Sequence, residues 1–227
     1  MELESSEPQV SSRPKGLSVD WERVVVVLGI SVGALCSFLA YEHIKLPHVG
    51  SSRGQVTKTT IEASRLAIAS SLCLGSADAP FKLVMFGDYQ CPPCRKEWPL
   101  IEKLVALHPG KLAVFFRNYP LAKIHPYALD AAVAAEESKS RGAFREMHRL
   151  LYGSTLSPKS IITELSLIGI RTPMDLAHRL PYMNRVADDI NLANSLGVTG
   201  TPSFFLIDNA GEVFMAQSLD SAADFIS

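Results

Sequence analysis

The spacing of apolar residues predicts a strand, a helix and a second strand in the middle of the chain. The runs at 81–86 (FKLVMF) and 112–116 (LAVFF) are short and mostly apolar, as buried strands are. Between them, apolar residues recur on one helical face: Trp98, Ile101, Leu104, Val105 and Leu107. Two prolines follow Cys91, and proline is tolerated in a first helical turn, so the helix is expected to start there.

Beyond the second strand the pattern becomes helical and then returns to strands. Apolar residues keep helical spacing from residue 125 to 196, and strand-like runs follow at 203–207 and 213–216. The loop DNAG joins these two runs as a hairpin, and 221–227 has room only for a short closing helix. This order predicts a two-layer α/β domain with a helical insertion over about residues 121–197.

An apolar, uncharged run at 24–41 predicts a transmembrane signal anchor ahead of the domain. As a helix it would reach roughly 27 Å, close to the thickness of a bilayer's hydrocarbon core. Trp21 and Tyr41 flank it, as interfacial aromatic residues do. A cleaved signal peptide is the alternative, although Phe38 stands where cleavage after Ala40 would want a small residue. Basic residues are balanced on the two sides, so charge does not give the orientation.

These patterns divide the chain into four parts. Residues 1–23, rich in Ser, Glu and Pro, are expected to be a disordered cytoplasmic tail. The anchor at 24–41 is followed by a polar extracytoplasmic linker at 42–73, with a short helix expected within 61–72. The folded domain is expected at 74–227.

Composition narrows the function. The chain has 227 residues, 47% of them apolar, which is enough for one ordinary core. A net charge of −1 without a basic stripe argues against a nucleic-acid partner. Four cysteines are too few for a disulfide-framework scaffold, so their positions indicate the chemistry better than their number does.

Cys91 and Cys94 form a C-P-P-C motif at the predicted helix start. A thiolate at Cys91 would face the positive end of the helix dipole, and the thiolate is the attacking species. Cys94, further into the helix, would be the resolving thiol. The intervening prolines have no N–H to donate, so the pKa of Cys91 is expected in the upper part of the range of about 3.5–7.5 found at such sites. The alternative, half of a zinc site, lacks a second short-spaced ligand pair, so neither a metal nor a cofactor is expected.

The segments FGDYQCPPC (86–94) and GTPSFF (200–205) together resemble the thioredoxin superfamily, in particular the DsbA-like oxidoreductases. RNYPL from Arg117, HPYALDAAVAAEE from His125 and FREMHRLL from Phe144 agree with this resemblance, which covers about residues 74–227. It implies a thioredoxin-like fold with a redox-active Cys91–Cys94 disulfide. It also implies that Pro202 is the family's cis-proline, and that Thr201 presents its backbone to an extended substrate peptide.

The chain departs from the family pattern at one position. Thioredoxin relatives commonly keep a buried acid six residues before the first cysteine, where it relays a proton to the resolving thiol. Here that residue is Met85, so the route of the proton is open. Asp88, three residues before Cys91, is interpreted as a turn residue.

The resemblance implies a dithiol oxidase that passes its disulfide to cysteine-containing secreted or periplasmic proteins. A quinone-linked membrane partner would reoxidise it. Two alternatives stay open: a membrane-anchored reductase or isomerase fed by a membrane thiol donor, and a non-enzymatic binding or metal-delivery module. The catalytic domain is expected outside the cytoplasm. Cys73 is expected to be a small, semi-buried residue, with pairing in trans or a transient link to Cys91 as alternatives, and Cys36 is expected to lie on the transmembrane helix.

Overall fold

A computed structural model of the chain describes residues 55–66, 72–171 and 176–226. The tail at 1–23 and the anchor expected at 24–41 lie outside these residues. Within them, no helix has both the length and the apolar character needed to span a bilayer.

Strands and helices follow the predicted order, with two additional strands near the start. The strands are β1 (Val56–Lys58), β2 (Leu72–Gly75), β3 (Phe81–Gly87), β4 (Leu112–Asn118), β5 (Ser203–Ile207) and β6 (Val213–Ala216). The helices are α1 (Pro92–Leu107), α2 (Ala128–Ser140), α3 (Phe144–Gly153), α4 (Pro158–Leu167), α5 (Leu176–Ser195) and α6 (Leu219–Ile226). The predicted helical insertion is therefore present as α2 to α5, between β4 and β5.

The six strands form one sheet in the order β1-β6-β5-β3-β4-β2. Only β3 and β4 run parallel, and the other pairs are antiparallel. A parallel pair requires a crossover connection, which α1 supplies. This central β3–α1–β4 unit places the start of α1 at the carboxyl end of β3.

Both faces of the sheet are covered, although two layers were expected. Along β3, Leu83 and Met85 join a core cluster with residues of α1, α3, α4 and α6. The alternate residues, Val84 and Phe86, join a second cluster that includes Ala193 near the end of α5. We call these the α1 face and the α5 face. The third layer, α5 on the opposite face of the sheet, was not predicted, because helical spacing alone does not say which face of the sheet a helix covers.

The linker expected at 42–73 contributes to the sheet. Val56 of β1 pairs with Ala216 of β6, and β2, which begins inside that range, pairs with β4. The helix expected within 61–72 is, among the described residues, a single 3-10 turn at Ala63–Leu66. Strands of three and four residues at a sheet edge carry too short an apolar pattern to be recognised, and main-chain hydrogen bonds hold them in place.

Gly87, at the end of β3, allows two aromatic rings to approach the backbone below the start of α1. A Cβ atom there would lie 2.4 Å from Phe116 Cε2 and 3.1 Å from Tyr152 Oη. Because both rings are buried, Gly87→Ala should lower the free energy of unfolding by about 1–3 kcal/mol. Urea denaturation measures this. Gly153→Ala is the matched control, since no heavy atom lies within 4 Å of its added Cβ. If the two variants are equally stable, the rings can move aside.

Candidate active site

Cys91 and Cys94 lie where the sequence predicted, at the beginning of α1. Cys91 is the N-cap residue, with extended backbone angles, and no side chain caps the helix. Both cysteines are free thiols. Cys91 exposes 4% of its surface and Cys94 none, so an incoming sulfur can reach only the first of the pair.

The two thiols have opposite electrostatic environments. The pKa of Cys91 is lowered to about 6, mainly because the Cys94 thiol donates a hydrogen bond to it. The side chain of Thr201 and the N–H of Cys94 contribute in the same direction, whereas burial opposes them. The same thiol–thiolate hydrogen bond, followed by burial, raises the pKa of Cys94. Cys91 is therefore the nucleophile, and Cys94 keeps its proton until the disulfide forms or breaks.

The turn before β5 meets this pair from the other end of the chain. The Thr201–Pro202 peptide bond is cis. The carbonyl oxygen of Thr201 lies 3.2 Å from the sulfur of Cys91 and accepts a hydrogen bond from the thiol. Of the residues singled out in the sequence, Thr201 thus contacts the nucleophile directly, and Pro202 fixes the course of the chain beside it.

Below Cys94 lies an aromatic cluster that sequence reasoning did not identify. Its members are Tyr89, Trp98, Phe116, His148 and Tyr152. Nδ1 of His148 lies 2.9 Å from the Tyr89 hydroxyl. Complete burial lowers the pKa of His148 and raises the pKa values of Tyr89 and Tyr152, so all three are neutral near pH 7. Tyr89, Trp98, Phe116 and His148 each lie in a segment noted in the sequence, but nothing local predicted that they meet.

Met85 is fully buried on the α1 face, level with Phe116 and Phe204 on the neighbouring strands. The position of the family's usual acid is therefore apolar in three dimensions as well as in sequence. Met85 and the uncharged cluster below Cys94 therefore supply no carboxylate at this position to take the proton of Cys94.

Asp88 is more than the turn residue expected from the sequence. Its Oδ1 atom accepts a hydrogen bond from the N–H of Gln90, as in an ordinary Asx turn. However, the residue is only 1% exposed, and its Oδ2 atom also accepts from the N–H of Leu121 and lies 2.7 Å from Nδ1 of His125. His125 is 37 positions further along the chain, which is why local pattern reading missed the contact.

Cys73 is separated from the redox pair by the sheet. It lies on β2 opposite Phe115 and packs against the core of the α5 face, whereas Cys91 and Cys94 belong to the α1 face. A transient link between Cys73 and Cys91 within one molecule is therefore excluded. Burial raises the pKa of Cys73, which makes it a weak nucleophile. Cys36 lies outside the described residues.

Comparison with known proteins gives a consistent picture for the folded part. A family described as thioredoxin matches residues 69–226. A periplasmic thioredoxin-like protein from Salmonella enterica serovar Typhimurium superposes with a TM-score of 0.59 at 25% identity, covering 74% of this chain and 96% of that one. A thioredoxin-like oxidoreductase from Silicibacter pomeroyi has the same fold, with a TM-score of 0.57 at 24% identity over 73% and 96% of the two chains.

A different kind of relative appears among curated proteins. One named Na(+)/H(+) antiporter NhaA 1, from Salinispora arenicola, is 34% identical over 141 residues. The alignment takes in 58% of this chain but only 21% of the antiporter. The chain thus spans about a fifth of the length of such relatives.

The difference between the two thiols predicts the order in which they react. When the reduced protein is treated with iodoacetamide at increasing pH, Cys91 should be alkylated first, with its rate reaching half-maximum near pH 6. Cys94 should stay unmodified until the solution is alkaline. Mass spectrometry of peptides from Cys73→Ser protein assigns each site without interference. A half-maximum for Cys91 near the value of a free cysteine would refute the stabilised thiolate.

Proposed function

We propose that this chain, which belongs to the thioredoxin family, is a thiol–disulfide oxidoreductase that works mainly as a dithiol oxidase. The observation that carries the proposal is the geometry of the pair: Cys91 is the N-cap of α1, its sulfur lies 3.2 Å from the carbonyl oxygen of Thr201, and the hydrogen bond from the buried Cys94 thiol lowers its pKa. A pure binding module has no need of a stabilised thiolate beside a protonated partner thiol.

The exchange proceeds in two displacements. A substrate thiolate attacks the sulfur of Cys91 in the Cys91–Cys94 disulfide, and Cys94 leaves with the electron pair and takes up a proton. The second substrate thiolate then attacks the substrate sulfur of the mixed disulfide and expels the Cys91 thiolate. The substrate dithiol is oxidised to a disulfide, and the protein pair is reduced. A leaving thiol of low pKa departs faster, so the stabilised Cys91 favours the second step.

The same stabilisation supports the direction of oxidation. A pair whose reduced form is stabilised has a less negative reduction potential and donates its disulfide more readily. Because the Cys91 thiolate stabilises the reduced protein, the Cys91–Cys94 disulfide readily oxidises a substrate dithiol. Cysteine-containing secreted or periplasmic proteins are the proposed substrates, and a quinone-linked membrane protein is the proposed oxidant that restores the disulfide.

An extracytoplasmic position with a membrane anchor completes the proposal. Disulfide donation requires a compartment in which glutathione and thioredoxin do not keep the pair reduced. The Salmonella relative is named as periplasmic, which supports the extracytoplasmic position, and the curated relatives are named as Na(+)/H(+) antiporters, which supports an association with a membrane. Ion transport is not carried over, because the chain spans so little of those proteins.

Variants of the two cysteines test the proposed activity. Cys91→Ala should abolish disulfide exchange with a reduced, unfolded protein substrate, because the nucleophile is lost. Cys94→Ala, given instead a disulfide-containing protein substrate, should accumulate a mixed disulfide: the Cys91 thiolate attacks the substrate disulfide, one substrate thiolate leaves, and the Cys94 thiol that would displace the substrate from Cys91 is missing. Non-reducing gels and mass spectrometry detect these products, and Cys73→Ser serves as the control with unchanged activity. Accumulation in Cys91→Ala instead would reverse the two roles.

A reporter enzyme tests the position of the domain. Alkaline phosphatase, which is active only outside the bacterial cytoplasm because it needs disulfides, should be active when fused after Ser227 of the full chain. β-Galactosidase fused at the same point is the reciprocal control and should be inactive. The opposite result would refute both the orientation and the oxidase direction.

A further inference from the structure

The carboxylate of Asp88 ties together two segments beside the redox pair. One segment is the turn between β3 and α1, reached through the N–H of Gln90 at 2.7 Å. The other is the loop after β4, reached through the N–H of Leu121 at 2.8 Å and through His125. A fourth bond joins the same two segments, from the N–H of Tyr127 to Oε1 of Gln90 at 2.5 Å. The loop after β4 thus holds the turn that precedes Cys91 in place.

Asp88 also contacts both cysteines through its own backbone. Its carbonyl oxygen accepts a hydrogen bond from the N–H of Cys91 at 3.1 Å. Its N–H is directed at the sulfur of Cys94, and this hydrogen bond lowers the pKa of that thiol against the larger effects that raise it. Because its side chain and its backbone belong to one residue, fixing the carboxylate fixes the N–H that faces Cys94.

The charge of Asp88 has a different effect from its position. The carboxylate raises the pKa of Cys91, so it disfavours the nucleophile. A buried carboxylate that opposes thiolate formation at Cys91 is not an activator of the attack. Asp88 instead contributes to the reaction by placing its N–H as a hydrogen-bond donor to Cys94, in a site where Met85 supplies no acid.

His125 completes the arrangement from the solvent side. Its side chain is 18% exposed, whereas that of Asp88 is completely buried. A buried carboxylate needs hydrogen-bond donors to offset its desolvation. The imidazole and two backbone amides together provide three of them.

From these contacts we propose that Asp88 and His125 are a positioning pair for the resolving cysteine. They hold the N–H of residue 88 against the sulfur of Cys94, so that the negative charge that develops on this sulfur when Cys94 attacks or leaves is stabilised. The inference rests on the proposed exchange activity and adds to it a device that acts on Cys94 and not on Cys91.

The two displacements can be timed separately with oxidised glutathione as the probe. The Cys91 thiolate of the reduced protein attacks glutathione disulfide, which gives a Cys91–glutathione mixed disulfide and one glutathione thiolate. Cys94 then loses its proton to solvent and attacks Cys91, which forms the Cys91–Cys94 disulfide and releases the second glutathione. Acid quenching followed by mass spectrometry gives the rate of each step.

Substitution at Asp88 should slow only the second step. In Asp88→Ala the turn loses its anchor, and the rate of attack by Cys94 should fall at least about tenfold, as for the loss of a hydrogen bond to a charged group. Attack by Cys91 should stay within about threefold of the wild type or rise, because a negative charge has been removed. Asp88→Asn keeps an acceptor for the backbone amides and should restore most of the second rate.

Asp189→Ala is the matched structural control. Asp189 is another buried carboxylate; it accepts hydrogen bonds from Arg117 and from the N–H of Asn118, and it lies on α5, away from the redox pair. Its loss should reduce stability and leave the ratio of the two rates unchanged. If Asp88→Ala does not fold, His125→Ala decides: the second rate should fall relative to the first and recover in His125→Asn, whose side chain retains a donor.

An unchanged ratio of the two rates in folded Asp88→Ala, or in His125→Ala if Asp88→Ala does not fold, would overturn the positioning role. An equal fall of both rates would do the same, because that would indicate general damage to the site. If the wild-type protein itself formed no mixed disulfide, the proposed function would fail instead. The two failures are therefore distinguishable.

Discussion

The chemistry of this protein depends on one hydrogen bond, given by a buried thiol to the thiolate beside it. Cys94 donates to Cys91, and this bond is the largest cause both of the lowered pKa of Cys91 and of the raised pKa of Cys94. The asymmetry separates a nucleophile that keeps 4% of its surface exposed from a resolving group that is fully buried. It requires that the two sulfurs be held at the start of a helix, where Cys91 is the N-cap and Cys94 is already inside the first turn.

The fold supplies this geometry by bringing together segments far apart in sequence. The strand β3 ends below Cys91, and its parallel pairing with β4 places α1 over the α1 face. The cis turn before β5, 110 residues after Cys91, accepts a hydrogen bond from the Cys91 thiol. The aromatic cluster below Cys94 keeps charge away from it near neutral pH. Asp88 is the charged side chain closest in sequence to the nucleophile on the β3 side, and its position fixes the turn between strand and helix.

Much of this could be predicted because the signals are local. The C-P-P-C motif, the prolines in the first turn and the apolar runs of β3 and β4 each fall within a few residues, and the structure confirms α1 and both strands. The pairing of Asp88 with His125 and the gathering of Tyr89, His148 and Tyr152 depend on tertiary contacts that no short pattern encodes. The edge strands β1 and β2 were missed for another reason. Each is held by main-chain hydrogen bonds, about which the pattern of side chains carries no information.

The central claim is that the stabilised Cys91 thiolate makes the pair a donor of disulfides. Its most direct test is the equilibrium reduction potential of Cys91–Cys94 in the full-length protein, measured against mixtures of reduced and oxidised glutathione by alkylation and mass spectrometry. The account predicts a value less negative than about −200 mV, towards the roughly −120 mV of strongly oxidising pairs. A value near about −270 mV, typical of a thioredoxin that reduces its substrates, would contradict it.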